Sequence, residues 1–98
     1  MTMSDHAAAY DMLIVEDEPV VVEAAKKILE SEGFKIDICF NAENAATKLK
    51  HHNYELILSD LMLPNSSGLD FARQVKQTYP NIPFVMILTI KLINIFIT

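Results

Sequence analysis

The sequence predicts an α/β fold in which a parallel sheet carries helices on both faces. Short apolar runs at residues 12–15, 56–59 and 84–88 are typical of buried parallel strands. Segments with apolar residues at helical spacing lie between these runs, and the connections are short. Strands that alternate with helices in this way favour right-handed βαβ units and a single parallel sheet.

Composition limits the class of protein. The chain has 98 residues, of which 51% are hydrophobic and 21% charged, and these values are typical of one small globular domain. A net charge of -5 with no run of Lys or Arg argues against a nucleic-acid-binding surface. The single Cys39 rules out an internal disulfide and fits a reducing compartment. Residues 1–10 lack the features of a signal peptide, so we expect a flexible tail and a cytoplasmic protein.

The first predicted strand, residues 12–15, leads into an acidic helix start. Glu16, Asp17 and Glu18 suit the positive end of a helix dipole, and Pro19 suits its first turn. Gly33 ends the helix. Its predicted inner face consists of apolar residues at helical spacing: Val21, Ala24, Ala25, Ile28 and Leu29.

The second predicted strand, residues 35–40, alternates apolar and polar side chains. This period of two indicates a strand near a sheet edge, with Asp37 on its more polar face. Asn41 is a predicted cap for the second helix, and Ser67 with Asp70 has the spacing of a capping box for the third. The inner faces of these two helices are predicted to be Ala42, Ala45, Ala46 and Leu49, and Leu69, Phe71, Ala72 and Val75.

Residues 82–98 are apolar enough to raise the question of a membrane span. Lys91 is the only charged residue among them. The segment is at the lower limit of length for a span, and Pro83 and Lys91 interrupt it. A core strand with an apolar extension is therefore the preferred interpretation, and no membrane association is expected.

Polar residues follow three of the predicted strands. Glu16 and Asp17 come after the first strand, Asp60 after the third and Thr89 after the fourth. Because parallel strands end at the same edge of a sheet, about 4.8 Å apart, these groups can converge in one cleft. Carboxylates that close repel one another unless a cation lies among them, and hard oxygen ligands favour Mg²⁺. Such a site suits phosphoryl transfer.

Taken singly, these acidic residues can also be ordinary solvated loop residues or helix-start charges. Their joint arrangement favours a site. The motifs Leu13-Ile14-Val15-Glu16-Asp17-Glu18, Asp60-Leu61-Met62-Leu63-Pro64-Asn65-Ser66-Ser67-Gly68 and Ile87-Leu88-Thr89 together resemble the receiver domain of bacterial two-component response regulators. The resemblance spans residues 12–89. It implies a CheY-like, flavodoxin-like doubly wound sheet with strand order 2-1-3-4.

The resemblance implies a role for each matching residue. Asp60 would accept a phosphoryl group from a sensor histidine kinase or phosphotransfer protein, and Thr89 would hydrogen-bond to that group. Mg²⁺ would be held by Glu16, Asp17, Asp60 and the backbone carbonyl of Met62. Pro64 and Gly68 would shape the loop beside the acceptor. The protein would then be a phosphoacceptor switch with at most slow autodephosphorylation, and not an enzyme.

The sequence departs from the family pattern after Thr89. A complete receiver continues with a fourth helix, a fifth strand that ends in Lys-Pro and a fifth helix, whereas residues 90–98 are a divergent apolar segment. We therefore expect a tail at residues 1–10, an incomplete receiver at 11–89 and this segment at 90–98. Lys91 is a candidate substitute for the family lysine. An open fourth-strand edge, or the segment itself, suggests a homodimer as a hypothesis.

Other functions compete with the phosphorelay receiver. A pseudo-receiver would keep the fold as an interaction or dimerisation module without phosphorylation. A nucleotide-binding protein of flavodoxin-like topology is disfavoured, because no Gly-rich phosphate loop follows the first strand. A haloacid-dehalogenase-type phosphatase would require a second Asp where Met62 stands.

Overall fold

The computed structural model describes residues 8–87, in which helices flank a parallel sheet. Two short strands that form a hairpin lie outside that sheet. In chain order the elements are β1 (Ala9–Val15), α1 (Pro19–Ser31), β2 (Ile36–Cys39), α2 (Ala42–His51), β3 (Asn53–Asp60), β4 (Met62–Leu63), β5 (Ser66–Ser67), α3 (Gly68–Thr78) and β6 (Phe84–Ile87).

The main sheet has the strand order β2-β1-β3-β6, with parallel neighbours throughout. Since β6 is the predicted fourth strand, the predicted order 2-1-3-4 is confirmed. The position of β2 at one end of this sheet also agrees with its alternating sequence. Val15 pairs with Ser59 and Asp60 pairs with Ile87, so the carboxyl ends of β1, β3 and β6 meet at one edge.

The main hydrophobic core lies between the sheet and helices α2 and α3. Inward-facing strand residues such as Leu13, Val15 and Ile57 are fully buried there. The helices contribute Ala45, Leu49, Phe71 and Val75, as the helical spacing predicted. Asn41 caps α2, because its Oδ1 accepts from the Asn44 N–H at 2.7 Å. The Oγ of Ser67 accepts from the Leu69 N–H at 3.1 Å and caps α3.

Three residues predicted to face the core are exposed. Ile28 is 63% exposed and Ala24 is also exposed, because α1 has a wider apolar stripe than the described residues cover. Leu69 is 44% exposed, since it lies in the first turn of α3 beside the hairpin rather than over the sheet. On α1 only Val22 is buried.

The starts of β1 and β3 differ most from the predicted boundaries. β1 begins at Ala9, so the last two residues of the predicted tail 1–10 belong to a strand. β3 begins at Asn53 and not at residue 56. Residues 1–7 and 88–98 lie outside the described residues, as do the predicted segment 90–98 and any continuation of the receiver pattern. No helix in the described part of the chain is long and apolar enough to cross a membrane.

Candidate metal and phosphoacceptor site

Three carboxylates converge at the carboxyl edge of the sheet. Glu16 and Asp17 follow β1, and Asp60 is the last residue of β3, the neighbouring strand. Each offers one oxygen atom such that the three oxygens lie within 4.8 Å of one another. Glu16 and Asp60 are almost wholly buried, and Asp17 is half-buried. These three side chains therefore converge, as the strand order predicted.

Glu16 is held by the backbone of the loop that leads into α1. The Glu18 N–H donates to Glu16 Oε2 at 3.0 Å, and the Glu16 N–H donates to the Cys39 carbonyl at 3.0 Å. Pro19 then starts the helix at its first position. The backbone of Glu16 is thus tied to β2, and its carboxylate is tied to the start of the helix.

Asp60 is fixed by contacts on both of its backbone neighbours. The Met62 N–H donates to Asp60 Oδ1 at 3.2 Å, and the Ser59 hydroxyl donates to the Asp60 carbonyl at 3.0 Å. The Leu61 N–H donates to the Ile87 carbonyl at 2.7 Å. These bonds hold Leu61, the residue that follows β3, against β6. The side chain of Asp60 therefore has a defined position at the sheet edge.

The loop beyond Asp60 depends on Gly68. The Gly68 N–H donates to the Leu61 carbonyl at 2.8 Å, and a Cβ at Gly68 would lie 2.6 Å from that same oxygen. It would also contact the carbonyl of Asp60. Only a residue without a side chain allows this approach. At the tip of the hairpin Asn65 has a φ of 59°, a left-handed conformation that Asn tolerates well.

The donor set fits a hard divalent cation. Three carboxylates within 4.8 Å would repel one another if all were ionised, and a cation between them removes that repulsion. Oxygen-only ligands that leave room for water are typical of Mg²⁺ sites. Glu16, Asp17 and Asp60 are the residues that would hold the ion.

The structure brings together most but not all of the predicted site. Glu16, Asp17 and Asp60 are adjacent, and Met62 contacts Asp60 through its N–H. Whether the Met62 carbonyl is a ligand stays a prediction. Thr89 lies outside the described residues, two positions after Ile87, which pairs with Asp60. Sequence reasoning missed the backbone donor of Glu18 and the hydroxyl of Ser59, since neither has a motif of its own.

Asp37 was predicted to be a residue of a polar strand face, and this was wrong. Its side chain is only 13% exposed. Both of its oxygens accept from Lys48 Nζ at 3.1 Å, and Oδ2 also accepts from the Tyr54 hydroxyl at 2.6 Å. Burial and this hydrogen bond to Asp37 raise the pKa of Tyr54. Burial raises the pKa of the nearby Cys39 thiol to about 12, which makes its reactive thiolate rare.

Comparison with known proteins decides the family. Residues 12–93 match the model of the response regulator receiver domain. The chain belongs to this family. The resemblance was predicted to end at Thr89, and the match of this receiver chain extends to residue 93.

Curated response regulators are similar to this receiver chain over most of its length. The response regulator Rre1 of Synechocystis sp. is 34% identical over 84 residues, which are 83% of this chain and 36% of Rre1. ArlR of Staphylococcus saprophyticus is 41% identical over 66 residues, 67% of this chain and 30% of ArlR. The chain thus spans about a third of the length of these relatives.

Solved receiver structures share the fold. A CheY-like receiver protein from Methanospirillum hungatei is 25% identical, with a TM-score of 0.76 over 92% of this chain and 71% of the other. TrrA of Thermotoga maritima, solved with Mg²⁺ and BeF, is 34% identical, with a TM-score of 0.71 over 81% of this chain and 67% of TrrA. TrrA has also been solved in complex with the histidine kinase ThkA.

Proposed function

We propose that the protein is a phosphorelay receiver in which Asp60 accepts a phosphoryl group. Its donor would be a sensor histidine kinase or a phosphotransfer protein. The observation that carries the proposal is the convergence of Glu16, Asp17 and Asp60 at the carboxyl edge of a receiver sheet. The donor set supports Mg²⁺ as the cofactor. The protein would act as a phosphoacceptor switch, and not as an enzyme on a separate substrate.

The transfer step follows from the position of Asp60. A carboxylate oxygen of Asp60 forms the new O–P bond while the N–P bond of the donor phosphohistidine breaks, and the electron pair remains on the imidazole nitrogen. Hydrolysis of the acyl phosphate later returns the carboxylate and inorganic phosphate. When bound, Mg²⁺ neutralises charge on the transferred group. The Met62 N–H orients the acceptor by holding Oδ1 at 3.2 Å.

The proposed kinase partner rests on similarity. The neighbour TrrA, 30% identical in that comparison with a TM-score of 0.76, was solved in complex with a histidine kinase. A small phosphodonor such as acetyl phosphate can replace the unidentified kinase in a test, because the chemistry depends on the receiver's own carboxylates.

The test is phosphorylation measured by intact mass. With Mg²⁺ and acetyl phosphate, we expect the protein to gain the mass of one phosphoryl group. Asp60→Asn, which keeps shape but removes the nucleophile, should show no gain. Asp70→Asn is the matched control, since that exposed carboxylate pairs only loosely with Arg73 at 3.5 Å. A folded wild-type protein with no Asp60-dependent gain would overturn the proposal and favour a pseudo-receiver that acts through protein interaction.

A further inference from the structure

Ser59 is a polar residue at a position where an apolar side chain would pack better. It is 0% exposed, as is Ile57, which lies two positions earlier on β3. The register places Ser59 between Val15 of β1 and Met86 of β6. Such a central strand position favours a β-branched apolar residue. A hydroxyl buried there needs a hydrogen-bond partner, because burying it without one costs free energy.

The partner of this hydroxyl is the backbone of the proposed phosphoacceptor. Ser59 Oγ donates to the Asp60 carbonyl at 3.0 Å. The same carbonyl faces Gly68, where an added Cβ would collide with it. At the other end of the peptide bond, the Leu61 N–H donates to the Ile87 carbonyl at 2.7 Å. Both polar ends of the Asp60–Leu61 peptide are therefore held in place.

The orientation of this peptide affects the Asp60 side chain. The Met62 N–H, one residue further along the chain, donates to Asp60 Oδ1 at 3.2 Å. A rotation of the Asp60–Leu61 peptide would displace this N–H relative to the carboxylate that it contacts. Neighbouring side chains on a strand point to opposite faces of the sheet, so the Ser59 hydroxyl acts on the carboxylate through the backbone.

We propose that Ser59 is a positioning residue for phosphoryl transfer to Asp60. Its hydroxyl holds the Asp60–Leu61 peptide in the orientation that aligns the carboxylate with the incoming phosphoryl group. The inference rests on the proposed phosphoacceptor function. Misplacing a reacting group by about 1 Å can slow a reaction about 100-fold. Loss of the Ser59 bond should displace Asp60 by less, because the bond from Leu61 to Ile87 remains.

The test compares phosphorylation rate and stability in substitutions of Ser59. Ser59→Ala removes the hydroxyl, whereas Ser59→Thr keeps it and adds a methyl group to a fully buried site. Ala45→Gly is the matched control, because Ala45 is also 0% exposed but lies on α2, where glycine weakens the helix. Urea unfolding gives the stability of each protein. With Mg²⁺, the initial rate of mass gain is measured over a range of acetyl phosphate concentrations.

We expect Ser59→Ala to lower the maximal rate about three- to tenfold, with the half-saturating concentration of acetyl phosphate unchanged. Ser59→Thr should keep a rate within about twofold of the wild type, although overpacking lowers its stability. Ala45→Gly should lose stability and keep the wild-type rate. The rate would then follow the hydroxyl and not the free energy of unfolding. If Ser59→Thr does not fold, Ser59→Cys replaces it. The thiol is a weak donor, so its rate should lie between those of Ser59→Ala and the wild type.

Three results would overturn the inference and leave the proposed function intact. The first is an equal maximal rate for Ser59→Ala and the wild type. The second is a loss of rate that Ala45→Gly reproduces. The third is a loss that neither Ser59→Thr nor Ser59→Cys restores in folded protein. A folded wild type without an Asp60-dependent mass gain would overturn the inference and the proposed function together.

Discussion

At the residue scale, the close approach of Gly68 to the backbone of Asp60 and Leu61 couples loop packing to the proposed acceptor site. In Gly68→Ala the new Cβ meets two backbone carbonyls, which cannot rotate away as a flexible side chain could. We expect a stability loss of about 1–3 kcal/mol and slower phosphorylation of Asp60, because the Asp60–Leu61 peptide must shift. Urea unfolding and the rate of mass gain with acetyl phosphate measure the two effects.

Gly33 is the matched control for this substitution. It has a φ of +92°, and a Cβ placed there would meet nothing within 4 Å. Gly33→Ala should therefore cost stability through backbone strain alone, by about 1 kcal/mol, and leave the phosphorylation rate unchanged. Equal effects of the two substitutions on that rate would contradict the role assigned to Gly68.

We expect Cys39 to make the folding stability depend on pH in the alkaline range. Its folded pKa of about 12 lies above the unfolded value of 9.0. A raised folded pKa stabilises the native state below pH 9, and that contribution is lost as the pH rises toward 12. Between about pH 8 and about pH 10 the wild type should lose about 1.4 kcal/mol more than Cys39→Ala. Urea titrations at both pH values check this, and parallel losses would refute it.

At the element scale, the cluster formed by Asp37, Lys48 and Tyr54 joins β2, α2 and β3. Lys48→Met removes the cation that compensates a mostly buried carboxylate, and Tyr54→Phe removes one donor to it. We expect each change to cost about 1–3 kcal/mol and the double variant to deviate from additivity by at least about 0.5 kcal/mol. Chemical denaturation at neutral pH provides the free energies of unfolding.

Lys50→Met is the control for this cluster, since Lys50 is an exposed residue of the same helix. Its effect should stay within about 0.5 kcal/mol. If Lys48→Met were equally mild, the ion pair with Asp37 would contribute little beyond an ordinary surface contact, and the Tyr54 hydroxyl would be the main polar link to Asp37.

Local sequence predicted the elements whose signals are local. The apolar runs that end in Glu16 and Asp60 located β1, β3 and the site between them, because buried parallel strands need continuous apolar residues. The hairpin β4–β5 has two residues per strand, too few for any period to show. The role of Asp37 depends on partners 11 and 17 residues away, and nothing near it in the sequence indicates them.

At the scale of the whole molecule, the least predictable property was which helix side chains are buried by other elements. The spacing of Ile28 is that of an inner-face residue, yet it is 63% exposed, because burial requires a partner surface as well as a helical period. The position of the candidate site was predictable, because it depends on the strand topology and not on side-chain packing. Parallel topology alone brings the ends of β1 and β3 together, so the acidic residues there had to meet once the strands were assigned.

The carboxylate site also predicts that folding stability depends on Mg²⁺. Glu16, Asp17 and Asp60 repel one another in the native state and are far apart in the unfolded chain, so an ion that binds the native cluster stabilises the fold. At a concentration ten times its dissociation constant, Mg²⁺ should add about 1.4 kcal/mol, or a rise of about 6–11 °C in Tm.

Asp17→Asn tests the origin of this effect, since it removes one ligand and one negative charge together. It should raise the Tm measured in EDTA, because repulsion falls, and should abolish most of the Mg²⁺-dependent increase. Glu55→Gln is the matched control, as an exposed carboxylate near the opposite end of the strand that carries Asp60. Its Mg²⁺-dependent increase should equal that of the wild type. An increase that survives Asp17→Asn but falls with Glu55→Gln would place the cation away from the Asp60 site.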